Sequence, residues 1–336
     1  MKRKFLAAVT LLMSVLVISI GCSTNNAGTK GAKTDVRVAY FPNITHTQAL
    51  VMKNQGALEK TLGEEANVKW TAFNAGPAEV EAIFAGEIDL GYIGPVPAVS
   101  ANVKSNGDVS VIAGATNGGA VLVSKKDLSI HSVNELSGLK VAVPQLGNTQ
   151  HLSLLHLLSE NNMATTTNGG DVEVVAAANA DIKTMMDGGQ IDAALVPEPW
   201  GSILENDIGA NIVLDYKDIW RNGDYSTAVV VVNNDFAKAH PDIVEKFLQA
   251  HKDATVYINE NLEEAKGIVN TEIEATTGKS FDKAILDSAF ELLIISEEIS
   301  EESILDFANM SKEEGFIDKM PSEDNFIQKT YLEKIK

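Results

Sequence analysis

Gly86-Glu87-Ile88-Asp89-Leu90-Gly91-Tyr92-Ile93-Gly94-Pro95 has a counterpart 103 residues later in Gly189-Gln190-Ile191-Asp192-Ala193-Ala194-Leu195-Val196-Pro197-Glu198. Each stretch opens on a helix-ending glycine, runs through a short apolar strand and stops at proline. The stops are Gly94-Pro95-Val96-Pro97 and Pro197-Glu198-Pro199-Trp200. The same offset carries Val38-Ala39 onto Val141-Ala142, so a single spacing holds across about fifty residues. A few small residues match easily by chance; a constant offset together with a constant element order does not.

The spacing predicts strand, helix, strand, helix, strand in each copy. In the first these are Val36–Phe41, Thr45–Lys60, Val68–Phe73, a helix opened by Gly76-Pro77, and Ile88–Ile93. Proline suits a first helical turn, where its missing N–H breaks no bond. The second copy reads Val141–Val143, a helix capped by Asn148-Thr149, Val172–Val175, Asp181–Asp187 and Ile191–Val196. Strands alternating with helices imply parallel sheets covered on both faces, so the expected class is α/β with two similar lobes. Gly118–Val123 and Tyr225–Val232 are apolar runs beside glycine or small residues and are expected to be the strands that cross between lobes. The expected division is 35–121 with 228–336 for lobe one and 122–227 for lobe two. Past Asn233 the chain turns helical and acidic. His240-Pro241-Asp242 opens a helix to about Asn259, and three or four more follow, expected to pack on lobe one.

Cys22 is the only cysteine in the 336 residues. Ahead of it lie a basic head, Lys2-Arg3-Lys4, and the apolar run Phe5–Ile20, which is short for a membrane span of about 20 residues. Basic head, apolar stretch and small residue before a break make a secretory signal. With Gly21-Cys22 at the break, the segment resembles a bacterial lipoprotein signal, which implies cleavage after residue 21 and lipid on Cys22. Residues 22–34 are small and polar and are expected to act as a flexible tether to a body outside the cytoplasmic membrane. With Cys22 lipidated, no thiol remains for disulfide or thiolate chemistry. Without its basic head the chain keeps 24 Lys+Arg against 46 Asp+Glu, a net charge of −22. Such a surface repels nucleic acid. The body's only arginines are Arg37 and Arg221, which excludes a guanidinium cluster for phosphate or carboxylate.

In open parallel sheets ligands bind beyond the carboxyl ends of the strands, against helix N-termini whose free N–H groups and partial positive charge hold an anion without a cationic side chain. The strand-end segments here are Pro42–Gln48, Gly94–Val96, Gln145–His151 and Pro197–Trp200, dense in hydroxyls, amides and imidazoles. The candidate ligand-binding residues are Asn43, Thr45, His46, Thr47, Pro95, Val96, Asn148, Thr149, Gln150, Glu198 and Trp200. Thr45 and Asn148 equally suit plain helix caps, Trp200 suits the core more readily than a ligand wall, and Arg221 is either a further anion contact or a solvated surface charge. Glu198 opposes an anion and suits a ligand's amine. His46 and His151 fall in different lobes with no acidic or second histidine partner at ligand spacing, so neither a metal nor a cofactor is expected. No nucleophile elbow, phosphate-cradling loop or paired-carboxylate motif is present, and no catalytic residue is assigned.

An ordered series of motifs resembles the solute-binding lipoproteins of ABC importers for nitrate, sulfonates and taurine. It comprises Phe73–Pro77, Ala85–Tyr92, Leu136–Val143, Ile191–Ala193 running into Pro197–Trp200, and His240–Val244. The resemblance implies the type II periplasmic-binding fold, with two lobes, two crossing strands and a small anion or zwitterion clamped between them. It further implies a monomer that delivers its solute to a membrane permease and its ATPase subunits. Thr45, His46, Thr47, Pro95, Asn148, Thr149 and Trp200 are the positions matching the family's binding residues. Two rival classes share the fold. One is an enzyme, against which stand export and the lack of any cysteine beyond Cys22. The other is a binder of a neutral or cationic pyrimidine-like thiamine precursor, its amine read by Glu198 and its ring by Trp200.

Overall fold

A computed structural model describes residues 33–335; Cys22, the segment 1–21 and the linker up to residue 32 lie outside the described residues. The first copy contains β1 (Thr34–Tyr40), α1 (Thr47–Gln55), α2 (Ala57–Leu62), β2 (Ala66–Ala72), α3 (Gly76–Phe84), β3 (Leu90–Ile93), α4 (Pro95–Lys104) and β4 (Val109–Gly118). The second contains β5 (Ala120–Ser124), β6 (Lys140–Val143), α5 (Thr149–Glu160), β7 (Glu173–Ala176), α6 (Asn179–Asp187), β8 (Ala193–Pro197), α7 (Trp200–Ile208), β9 (Asn211–Leu214) and α8 (Tyr216–Ile219). The chain then forms β10 (Ser226–Asn233), α9 (Asn234–Ala239), α10 (Pro241–Glu260), α11 (Leu262–Thr277), α12 (Lys283–Glu291), β11 (Leu293–Ile295), α13 (Glu301–Glu313) and α14 (Thr330–Glu333). The helix expected over Thr45–Lys60 is two helices, because Gly56 takes a left-handed conformation that ends the first at Gln55.

The strands form two sheets, β11-β4-β10-β3-β1-β2 and β7-β6-β8-β5-β9. In the first, β1 runs parallel to β2 and β3; in the second, β6 runs parallel to β7 and β8. Helices cover both faces, so successive strand residues point into opposite apolar layers. Val38 packs with Leu50 and Phe247, and its neighbour Ala39 with Ile83 and Val99. Val141 packs with Leu154 and Leu158, and Ala142 with Ile182 and Ile203.

The repeat is legible at the level of single hydrogen bonds. Val38 pairs with Leu90 and Ala39 with Gly91; 103 residues on, Val141 pairs with Ala193 and Ala142 with Ala194. The aspartate before each third strand clamps the first. Asp89 Oδ2 accepts the Arg37 backbone N–H at 2.9 Å, and Asp192 Oδ2 accepts the Lys140 backbone N–H at 3.0 Å. Burial pushes the Asp192 carboxyl up, but Lys125 and the Lys140 N–H outweigh it and hold the group below its ordinary value. α3 and α6 span the same residues under the shift.

The chain leaves the first sheet for the second at Gly118-Gly119, where both glycines have positive φ, 71° and 72°. Side chains are barred there as well, since a Cβ on Gly119 would stand 2.1 Å from Leu293 Cδ2. The return falls between β9 and β10, and β10 pairs wholly within the first sheet. Most C-terminal helices pack on the first sheet, as α10 does through Val244, Phe247 and Leu248. One departs from the expectation, and another, packed on α4 of the first layer, also reaches the second. α12 packs on α7 of the second layer. α13 is tied to the second copy by ion pairs from Arg221 to Glu302 and Asp306. Long amphipathic helices with exposed acidic faces meet the one arginine of the second copy there, and opposite charges join the layers.

Replacing Asp89 by Ala leaves the Arg37 N–H unpaired beside a guanidinium. The expected loss is about 2–3 kcal/mol of stability by urea denaturation, with a smaller loss for Asp192→Ala, whose surroundings are more solvated. Unchanged midpoints for both variants would rule out the clamp.

Candidate functional site

Because every strand of the parallel units runs the same way, the helices that follow them begin at the same edge. Five helices of nine to twelve residues start around one enclosed cavity: α1, α3, α4, α5 and α6. Thr45 and His46 lie at the start of α1, Ala75 and Gly76 at α3, and Gly94 and Pro97 at α4. From the second layer come Asn148, Thr149 and Gln150 at α5, and Asn179 at α6. The cavity measures about 20 Å3, the size that holds a single water. Every side chain lining it is uncharged.

The two layers approach closely around it. A Cβ on Gly94 would lie 2.3 Å from Thr149 Oγ1, so only glycine lets α5 reach the end of β3. Asn74 Nδ2 donates to the Pro144 carbonyl across the gap at 3.4 Å. Thr149 Oγ1 and Asn179 Oδ1 are buried in the lining without a hydrogen-bond partner. Such orphan atoms are costly unless something else satisfies them.

His46 is buried, and burial lowers its imidazole to a pKa of about 3, so it is neutral at physiological pH. Its Nδ1 accepts the Phe41 N–H at 3.1 Å, and its ring stacks on Phe41 at 4.3 Å between centroids. The ring proton therefore sits on Nε2, which makes that nitrogen a donor. Asn43 Oδ1 accepts the Thr45 N–H at 3.1 Å and also the Thr45 hydroxyl. Asn148 Oδ1 accepts the His151 N–H at 2.8 Å, and its Nδ2 donates to Gln150 Oε1 at 3.0 Å. These bonds hold the chain ahead of α1 and the start of α5 in place, whereas the first residues of α3, α4 and α6 have no side-chain cap to take up their N–H groups.

Of the residues singled out in the sequence, Asn43, Thr45, His46, Asn148, Thr149 and Gln150 come together here. Thr47, Pro95, Val96, Glu198 and Trp200 do not line the cavity. The Thr47 hydroxyl turns back to the Ile44 carbonyl. Pro95 occupies the first turn of α4, and Val96 is packed with Leu122 and Leu152. Trp200 sets its ring edge-on to Phe281 at 5.9 Å, in the seam between α7 and the C-terminal helices. Arg221 is taken up by its ion pairs with α13. Asn74, Gly76, Asn179 and Thr227 line the cavity without having been singled out. The repeat itself carried the signal for two of them, since Gly76 and Asn179 are the same helix-opening position 103 residues apart. Among the described residues no group of three or more His, Cys, Asp or Glu could hold a metal, and no helix is long and apolar enough to cross a membrane.

A family model described as the NMT1-like family matches residues 29–271. The chain belongs to the NMT1-like family. The taurine-binding periplasmic protein of Escherichia coli K12 is 32% identical over 212 residues, covering 63% of this chain and 62% of that protein. The putative aliphatic sulfonates-binding protein of Bacillus subtilis 168 is 24% identical over 339 residues, covering 96% and 95%. The alkanesulfonate-binding protein SsuA from Xanthomonas axonopodis pv. citri, bound to MOPS, superposes with a TM-score of 0.73 at 17% identity over 88% of this chain and 98% of that one. The periplasmic nitrate-binding protein NrtA from Synechocystis PCC 6803 superposes with 0.70 at 15% identity over 90% and 88%. The fold is thus that of the periplasmic binding proteins, as the motif series implied, and the relatives named above are described as binding proteins.

Glu198 supplies a test of the interior's electrostatics. Burial raises its carboxyl to about 7, against the opposing pull of the Ser202 N–H, which it accepts at 3.1 Å; nearby Glu205 adds to the rise. The folded state binds this proton more tightly than the unfolded chain. Its contribution is complete below about pH 4.5 and drains away as the pH rises through 7. Glu198→Gln is expected to match the parent at pH 4 and to exceed it by about 3 kcal/mol at pH 8. A difference independent of pH in denaturant melts would refute the neutral carboxyl.

Proposed function

We propose that this chain is the extracytoplasmic solute-binding component of an ABC importer, capturing a small oxyanion or zwitterion of the sulfonate, nitrate or taurine type between its two lobes. The observation that carries this reading is the ring of five helix N-termini from both layers, enclosing a cavity without charged side chains and with the Thr149 hydroxyl unspent. Helix-end N–H groups, the Thr149 hydroxyl and the His46 Nε2–H supply the donors, while the Thr45 hydroxyl is already spent on Asn43 Oδ1. That array suits three-fold oxygen groups, which are acceptors only. The names of the taurine-binding and aliphatic sulfonates-binding relatives support it. A zwitterion is accommodated because Asn179 Oδ1, an unpaired acceptor, can take an amine.

In this reading residues 35–121 with 228–336 and residues 122–227 act as the two lobes, and their closure presents one surface to the permease and its ATPase subunits. Lipid on Cys22 would hold a monomeric body at the outer membrane face through the 22–34 tether. No step of chemistry on the solute is assigned, and no cofactor is required.

Titration calorimetry with nitrate, taurine and methanesulfonate is expected to show binding by at least one, with a matching rise in melting temperature. Thr149→Val should weaken it about tenfold, the worth of one hydrogen bond to an ionised group. Trp200→Ala should cost about 3 kcal/mol of stability and leave the affinity of the folded protein within twofold. If none of the three solutes binds, the oxyanion reading fails. Separately, Cys22→Ala should release the protein from membranes and abolish labelling by a palmitate analogue; full retention would end the lipoprotein reading.

A further inference from the structure

The cavity among the helix N-termini, about 20 Å3, leaves no room for the carbon part of an organic solute, which raises the question of where that part goes. A second space of about 380 Å3 lies against it. Pro97 walls both, and Gly76-Pro77 and Gly147-Asn148 each place one residue in the cavity and the next in the groove. The partition is one proline ring on one side and the side-chain-free backbone of Gly147 on the other. Groove walls come from both layers: Pro77, Val80 and Pro97 from α3 and α4, Leu146 and His151 from the second copy, and Phe316 beyond α13.

These walls are apolar and flat. His151 is held through Nδ1, which accepts the Gly147 N–H at 3.0 Å, and its ring stacks on Phe316 with centroids 5.3 Å apart and planes 28° from parallel. Leu146 is 53% exposed at the rim, an apolar side chain only about half covered by protein. The charged side chains of the lining, Glu81 and Lys104, are of opposite sign and favour neither a cation nor an anion. The space exceeds the roughly 150 Å3 that suffices for benzene in an apolar cavity.

We propose that the solute is a sulfonate bearing a flat, uncharged aromatic ring, with the sulfonate among the helix N-termini and the ring against Pro77, Leu146, His151 and Phe316. The inference rests on the oxyanion reading of the same site and goes beyond it in naming what the oxyanion is attached to. Proline rings and a stacked imidazole–phenyl pair reward a planar partner through offset and edge-to-face contacts. A flexible alkyl chain would gain less from them and lose more rotamer freedom.

The test titrates the intact chain with benzenesulfonate and methanesulfonate by calorimetry. Benzenesulfonate is expected to bind at least tenfold more tightly. Leu146→Ser and Phe316→Ala should each remove most of that preference, leave methanesulfonate affinity unchanged and keep a cooperative melt. Equal affinities, or variants that weaken both ligands alike, would overturn the proposal. Methanesulfonate binding without benzenesulfonate binding would overturn it while leaving the oxyanion reading intact; failure of both ligands would overturn the sulfonate assignment itself.

Discussion

The architecture depends on the aspartate that closes each repeat onto its own first strand. Asp89 and Asp192 accept the backbone N–H of Arg37 and Lys140, and in doing so set the register of β3 on β1 and of β8 on β6. A slip of one residue would turn every side chain of the third strand to the opposite face. It would also move Gly94 away from Thr149 and separate the two layers where they come closest. Everything downstream of that register, the starting points of α4 and α7 included, follows from one charge-assisted bond made twice. In sequence terms a single aspartate after Gly-x-Ile does the work in both copies.

The site then needs no cation. Partial charges at helix ends fall off within a turn, so their value depends on several of them meeting at short range in a space from which water is excluded. The net charge of −22 on the body is spread over a solvated surface and is screened beyond about 8 Å. Carboxylates in the interior would be a more serious opponent. Glu79 lies on α3, one of the five converging helices, with both oxygens buried and unpartnered, and burial pushes its carboxyl well above the ordinary carboxylate range. Kept neutral, it does not cancel the potential of the helix it sits on. The same burial that makes His46 a neutral donor thus removes the charge of Glu79, and the cavity is governed by dipoles.

The two-lobed α/β order, the parallel pairing and the gathering of the strand-end segments around one cavity were legible because period, offset and proline stops all pointed the same way. Individual contacts were less so. Glu198 and Pro95 occupy the same repeat position, one or two residues past the strand end, where the chain turns into the next helix. A polar residue there caps that helix, as Glu198 does with the Ser202 N–H, and does not face a ligand. Trp200 stands two residues further on, and its direction is set by Phe281, 81 residues away, which no local pattern reveals. Asn179 was missed for the opposite reason. Nothing about it is unusual locally, and only its pairing with Gly76 across the repeat marks it as a cavity position.

The C-terminal helices bear on how such a molecule opens. The covalent links between layers are two, and one of them, Gly118-Gly119, is a pair of positive-φ glycines able to absorb a change of direction. What resists opening is non-covalent: the Trp200–Phe281 edge contact, the Lys279 Nζ bond to the Ala180 carbonyl at 2.9 Å, and the pairs from Arg221 to Glu302 and Asp306. The acidic partners are exposed, Glu302 at 87%, and pairs of that kind contribute about 0–1 kcal/mol. Against them stands the first sheet's apolar packing on α10 and α11, which buries Val244, Phe247, Leu248 and Val269 completely. Opening that carried the C-terminal helices with the first layer would therefore part buried apolar contacts as well as solvated ones, Trp200 against Phe281, α7 against α12, and Trp220 against the fully buried Phe307 at 4.7 Å between centroids. A solute that bridges α3 and α4 to α5 and α6 would add to that apolar packing in holding the layers together.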